Sequence, residues 1–136
     1  MHPALFLATV MIVGLGIDLV ASSRMEREPA RDEWLQGDGI FTSQEISRCS
    51  RNRRPALCYA ACFAAKEATL KALALVDTGV GFRQIEVERN SLGACTIKLH
   101  GAALAAATEA GVTELALSLS HEGDFAAAIV FSMRDQ

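Results

Sequence analysis

Nineteen consecutive residues from Leu57 to Leu75, LCYAACFAAKEATLKALAL, contain neither Gly nor Pro and are dominated by Ala and Leu. Such a run predicts a long helix. Apolar residues surround it on nearly every side, so it should be central and covered by other elements. Among its few charged residues, Glu67 and Lys71 stand four apart and project from one face, with Lys66 beside them. The chain of 136 residues fits a single domain, and 51% hydrophobic against 21% charged residues is enough to bury a core around that helix.

The flanking segments supply the cover. Val10 to Ile17 is a short apolar run closed by glycines, which suits a strand buried on both faces and places Asp18 at its end. The wider apolar stretch from Ala4 is too short to span a bilayer, and it lacks the basic start and A-x-A-like cleavage site of a signal peptide. Residues 1–10 therefore read as an N-terminal extension to a domain covering 11–136. Leu19 to about Leu35 reads as a charged helix interrupted near Pro29. Thr42-Ser43-Gln44-Glu45 has the form of a capping box opening a further helix. Arg48, Arg51, Arg53 and Arg54 make a dense basic patch, best read as a solvated surface run, and Pro55 after it enters the central helix.

Downstream, Asp77 to Gly81 is a loop, and Phe82 to Arg89 alternates as a strand with Ile85 and Val87 inward. Asn90 to Gly93 turns the chain into Cys95 to Leu99. A short helix follows over Gly101 to Ala110, with Gly111 in the C′ role. Leu115 to Ser120 and Phe125 to Ser132 form a hairpin whose turn is His121-Glu122-Gly123-Asp124. The interspersed elements give an α+β class, one compact domain with its long helix packed on antiparallel strands.

Thirteen Lys and Arg against sixteen Asp and Glu leave a net charge of −3, which argues against a large nucleic-acid interface. Cys49, Cys58, Cys62 and Cys95 include no C-x-x-C pair, so they read as reduced thiols of a cytoplasmic protein. His2, His100 and His121 show no zinc-type spacing with them. Chemistry instead concentrates on Asp18, on Glu67 with Lys71, and on His121-Glu122. Each has a structural alternative, as helix cap, i,i+4 ion pair or turn residue respectively. The functional alternative is that two carboxylates on different elements share one Mg²⁺, which takes hard oxygen ligands and completes its octahedron with substrate phosphate. The lysine would then face the phosphates.

Gly16-Ile17-Asp18-Leu19-Val20, Phe41-Thr42-x-x-Glu45, Phe63-Ala64-Ala65-Lys66-Glu67-Ala68-x-x-Lys71-Ala72 and Ser118-Leu119-Ser120-His121 together resemble the holo-acyl-carrier-protein synthases, the small phosphopantetheinyl transferases. The resemblance runs from about Met11 to the C terminus and includes Gly79-x-Gly81-Phe82, Ile85-Glu86-Val87 and Gly101-x-Ala103. It implies transfer of 4′-phosphopantetheine from coenzyme A to a serine of an apo acyl carrier protein, with release of adenosine 3′,5′-bisphosphate. It also implies a homotrimer with sites at subunit boundaries. By position, Asp18 and Glu67 would hold Mg²⁺, and Lys71 would contact the phosphates. Gly79, Gly81 and His121 would lie against the coenzyme, while Glu122 or a metal-bound water would take the serine proton. Arg24, Arg27 and Arg31 would meet an acidic carrier. The chain departs from the family at Cys62, where an arginine is common, at Gly93-Ala94-Cys95 in place of G-K-P, and at Ala74 in place of a glycine. These departures motivate the rival reading, a homologue that binds coenzyme A or a carrier without transferring.

Overall fold

The computed structural model describes residues 9–26 and 39–136. Strand β1 (Val10–Ala21) leads into a 3-10 turn (Ser22–Met25), and then come helices α1 (Ser43–Ser50) and α2 (Pro55–Ala72). A second 3-10 turn (Phe82–Gln84) precedes β2 (Ile85–Arg89) and β3 (Cys95–Leu99). The chain ends with α3 (Gly101–Glu109), β4 (Glu114–Glu122) and β5 (Phe125–Asp135). Strands β1, β5 and β4 form an antiparallel sheet in that order, and β2 pairs with β3 in a separate antiparallel ribbon.

Helix α2 lies on one face of the larger sheet, and small residues set how close it comes. Ala60, Ala64, Ala65 and Ala68 on the helix, and Ala126 and Ala128 on β5, are buried. A Cβ at Gly14 would run into the Ala72 carbonyl, and one at Gly16 into that of Ala68. Glycine at these two positions lets strand and helix backbones touch. Side chains of β1 on the other face stay open: Leu15, Ile17 and Leu19 are 55%, 64% and 62% exposed. The strand is thus buried on one face, where burial on both was expected.

Several local expectations hold. The Thr42 hydroxyl accepts from the Glu45 N–H at 3.2 Å while Glu45 Oε1 accepts from the Thr42 N–H at 2.8 Å, a complete capping box. Pro55 occupies the first turn of α2, Ile85 and Val87 are buried, and Gly111 has a positive φ after α3.

Others are corrected. Pairing of β1 with β5 continues to Ala21 opposite Phe125, so Asp18 sits within the strand opposite Ala128 and not at its end. The hairpin turns on Gly123-Asp124, so His121 and Glu122 are the last residues of β4. The two-residue loop is satisfied by the positive φ of Gly123 and needs no wider turn. Phe82 to Gln84 form a 3-10 turn ahead of the strand. The charged helix expected from Leu19 is strand and 3-10 turn as far as Met25, and its remainder, including Arg27, Pro29 and Arg31, lies outside the described residues. Cys49 and Cys58 are joined by a disulfide, contrary to the reduced-thiol reading.

Helix α2 stops at Ala72 because Ala74 takes the left-handed conformation, with φ +55°. An alanine there carries a Cβ penalty that glycine avoids. Ala74→Gly is expected to raise stability by about 0.5–1 kcal/mol, net of the entropy glycine adds to the unfolded chain. An unmoved urea midpoint would show that the left-handed turn costs nothing.

A buried polar network joins α1, α2 and β2. The Lys66 ammonium, with no side-chain exposure, is 2.8 Å from the equally buried Glu45 Oε1 and donates to the Phe82 and Ile85 carbonyls. Glu45 Oε2 accepts from the Val87 N–H at 2.7 Å. Nearby, Glu86 accepts from the Thr42 hydroxyl at 2.6 Å and lies 3.1 Å from His100 Nε2. Burial depresses the Lys66 pKa, with the Glu45 charge opposing it. The motif residues Thr42, Glu45 and Lys66 are therefore scaffold, holding β2 against the central helix.

Candidate active site

Glu67 and Lys71 emerge from the side of α2 that faces β1. Lys71 Nζ donates to the Ile17 carbonyl at 2.8 Å and stands 3.5 Å from Asp18 Oδ1, so it reaches across to the strand. The side chains of Lys71 and Asp18 are 45% and 20% exposed. Burial first, and then the like charge of Asp18, push the Glu67 pKa up, with Lys71 and Arg24 opposing them. Arg24 stands 5.2 Å over the Phe63 ring. The structure thus brings Asp18, Glu67, Lys71 and Arg24 into one cluster. Two carboxylate groups repelling each other at a half-open surface, with hard oxygen donors, fit a magnesium ion.

The raised Glu67 pKa has a consequence for stability. Below the carboxylate range both folded and unfolded chains are protonated there and nothing is lost. As pH rises from the unfolded pKa through the higher folded one, the unfolded chain gives up its proton first and the fold is penalised. Glu67→Gln removes that penalty. It is expected to raise stability by a few tenths of a kcal/mol at neutral pH, after solvent screening, and by nothing in acid. Melting curves at both pH values check this, and equal gains in acid and at neutrality would contradict it.

A second feature occupies the opposite flank of α2, a cleft of about 670 Å³ lined by Arg48, Arg53, Arg54, Arg89, Cys58 and His121 among others. Arg54 donates to the Gly123 carbonyl at 3.2 Å and to Asp124 Oδ1 at 3.0 Å, which ties the arginine loop to the β4–β5 hairpin. Arg51, Arg53 and Arg54 are exposed, as a solvated surface run should be, and Arg48, Arg53 and Arg54 also line this cleft. Only tertiary structure reveals this, because the facing wall comes from β2, β3 and β4. Cys62, at the position where the family's arginine is common, is 3% exposed, and Arg48 Nη2 lies 3.4 Å from its sulfur. Burial pushes the Cys62 thiol up to about 11, with Glu45 adding to the effect.

The two features do not meet within one chain. Cys58 and Glu67 are nine residues apart on α2, two and a half turns, and so point to opposite sides. Asp18 belongs to edge strand β1 and His121 to the other edge strand β4. Alternation along β4 puts His121 on the helix-bearing face with Leu115, Leu117 and Leu119, which pack on the core, whereas Glu122 takes the outer face. Gly79 and Gly81 follow α2 at its far end and are absent from the cleft lining.

Comparison with known proteins places this arrangement. Residues 14–130 match the 4′-phosphopantetheinyl transferase superfamily. The holo-[acyl-carrier-protein] synthase of Geobacter sulfurreducens is 39% identical over 121 residues, covering 88% of this chain and 96% of that protein. That of Moorella thermoacetica is 40% identical over 114 residues, covering 84% and 88%. The Helicobacter pylori holo-[acyl-carrier-protein] synthase, solved in complex with coenzyme A, superposes with a TM-score of 0.72 at 27% identity, covering 87% of this chain and 98% of that one. An α+β domain of this topology, matched to the family over residues 14–130, belongs to the 4′-phosphopantetheinyl transferase superfamily, among the holo-[acyl-carrier-protein] synthases.

Proposed function

We propose that the chain transfers 4′-phosphopantetheine from coenzyme A to a serine of an apo acyl carrier protein, at a composite site. In this site the Asp18, Glu67 and Lys71 cluster of one copy faces the arginine-lined cleft of the next. The observation that carries the composite site is the placement of the two halves on opposite flanks of α2. The exposed row Leu15, Ile17 and Leu19 supports it, since three such sheets can bury their outer faces together as a closed ring of head-to-tail contacts.

Asp18 and Glu67 are the residues that would hold Mg²⁺, which when bound supplies charge neutralisation and orientation to the coenzyme's pyrophosphate. Lys71, steadied by the Ile17 carbonyl, contacts the phosphate that accepts in-line attack and stabilises the charge that develops there. Arg48, Arg53 and Arg54 offer a cationic seat for the coenzyme's 3′-phosphate, with His121 beside it. Gly79 and Gly81 approach the coenzyme from the loop after α2. Glu122 projects from the outer face, so its role as acceptor of the serine proton depends on the neighbouring copy. Arg24 presents the carrier with positive charge beside Asp18 that steers encounter and makes association salt-sensitive, and the same role is proposed for Arg27 and Arg31, which lie outside the described residues.

Intact-mass measurement of an apo acyl carrier protein incubated with the chain, coenzyme A and Mg²⁺ tests the transfer. A phosphopantetheine-sized gain abolished by EDTA supports it. No gain from a folded sample that still binds coenzyme A leaves the non-transferring homologue. Sharing of the site is tested by complementation. Asp18→Ala and His121→Ala chains, each inactive alone, are expected to recover about a quarter of wild-type turnover averaged over all sites when refolded together in equal amounts, because random mixing pairs two intact halves one time in four. No recovery in mixed oligomers would place both halves of the site in one copy.

A further inference from the structure

Two cysteines bracket the loop that carries the arginines. Cys49 stands near the end of α1 and Cys58 in the first turn of α2, and the disulfide between them closes eight intervening residues that include Arg51, Asn52, Arg53 and Arg54. The ties of Arg54 to the hairpin, to the Gly123 carbonyl and to Asp124, are both solvent-exposed and hold weakly. The covalent bond is therefore the firm constraint on where Arg53 and Arg54 stand relative to His121. It is also reachable, because Cys49 is fully buried while Cys58 is half-buried and lines the cleft.

A third sulfur lies against the pair, with Cys62 Sγ 3.9 Å from that of Cys49. Its burial keeps it a thiol at neutral pH, so it is a poor nucleophile toward the neighbouring bond and internal exchange is suppressed. Exchange must begin from the cleft, at the Cys58 sulfur. The arginines around that sulfur favour small thiols that carry negative charge.

We propose that the Cys49–Cys58 disulfide is a reducible clasp on the cleft, which when intact holds Arg53 and Arg54 in place for a phosphate-bearing ligand and when reduced weakens that ligand's binding. The inference rests on the reading of the cleft as a coenzyme seat. In the reaction a thiolate attacks the Cys58 sulfur, forms a mixed disulfide and expels Cys49 as a thiolate, which takes up a proton. A second thiol attacks the outer sulfur of the mixed disulfide, releasing Cys58 as a thiol and the small-molecule disulfide as product. Two thiols thus deliver the two electrons.

Adenosine 3′,5′-bisphosphate, which has no thiol of its own, is the probe. Its Kd is measured by calorimetry on the full chain before and after phosphine reduction, with free thiols counted in each sample. The expected result is two free thiols before reduction and four after, with at least a threefold rise in Kd, and a Cys58→Ser chain showing the weaker value in both conditions. Cys49→Ser repeats the comparison if Cys58→Ser does not fold. An unchanged wild-type Kd, four thiols free at the outset, or a stoichiometric thiophilic metal held by the three sulfurs would overturn the clasp. If the bisphosphate binds in neither state, the coenzyme reading of the cleft fails, and inorganic pyrophosphate in the same titration judges the clasp alone. A redox-dependent pyrophosphate Kd then keeps the clasp, and an unchanged or undetectable one overturns it.

Discussion

Alanine at Asp18 is expected to slow phosphopantetheine transfer by on the order of 10²–10³-fold, the loss typical when one fixed electrostatic partner of a charged transition state is removed. Folding should hardly notice. The side chain is an edge-strand carboxylate whose ion pair among the described residues is the 3.5 Å contact to Lys71, and its removal also relieves the like charge on Glu67. Surface changes of this kind stay within about 0.5 kcal/mol. Rates of carrier modification by intact mass, alongside a urea curve, separate the two effects. Transfer within about threefold of the parent chain, from a sample of equal stability, would remove Asp18 from the reacting centre.

Lys66→Met should do the opposite and act on the fold. The methionine fills similar space, but Glu45 is left buried without its cation and two carbonyls lose their donor. Breaking one side of a buried pair costs about 3–5 kcal/mol. For a chain of this size that corresponds to a fall in Tm of roughly 10–20 °C. The double change Lys66→Met with Glu45→Gln is expected to recover part of the loss, since no uncompensated charge remains. A cost below about 1 kcal/mol for Lys66→Met would mean that water replaces the pairing and that the network is not what fastens β2 to the central helix.

Local chemistry was legible in the sequence wherever a short segment sets its own conformation. The capping hydroxyl of Thr42, the ring of Pro55 at a helix entry and the positive φ of Gly111 act over a single turn, and all three appear where the residues place them. Strand ends were misjudged because they belong to pairs. Asp18 and His121 look like terminators in isolation, yet β5 supplies partners as far as Phe125 and carries both strands on. The even apolar coat of α2 also hid which side buries a charge. A lysine in the middle of that coat, upstream of which a capping glutamate awaited a partner, was the available sign of the Glu45–Lys66 pair.

Of the candidate site, Asp18, Glu67 and Lys71 were legible because two of them share a helix face. The arginine cleft was not, since its walls come from residues 48–62, 87–95 and 119–121. The disulfide escaped for a related reason: a nine-residue separation has no local signature, and only the turn between the two helices brings Cys49 to Cys58.

Gly14 and Gly16 sit against Ala72 and Ala68, and that contact works as a ruler. Two residues of strand advance roughly 6.6 Å and four residues of helix roughly 6.0 Å, so the two notches in β1 fit successive turns of α2 in one alignment only. Any slip along the strand would drive a side chain into a carbonyl. Asp18, the next residue on the same face, is thereby delivered within 3.5 Å of Lys71, on the flank from which Glu67 also emerges. The separation of the charged groups is thus calibrated by side chains that are absent, and exchanging either glycine should detune the site even in a chain that still folds.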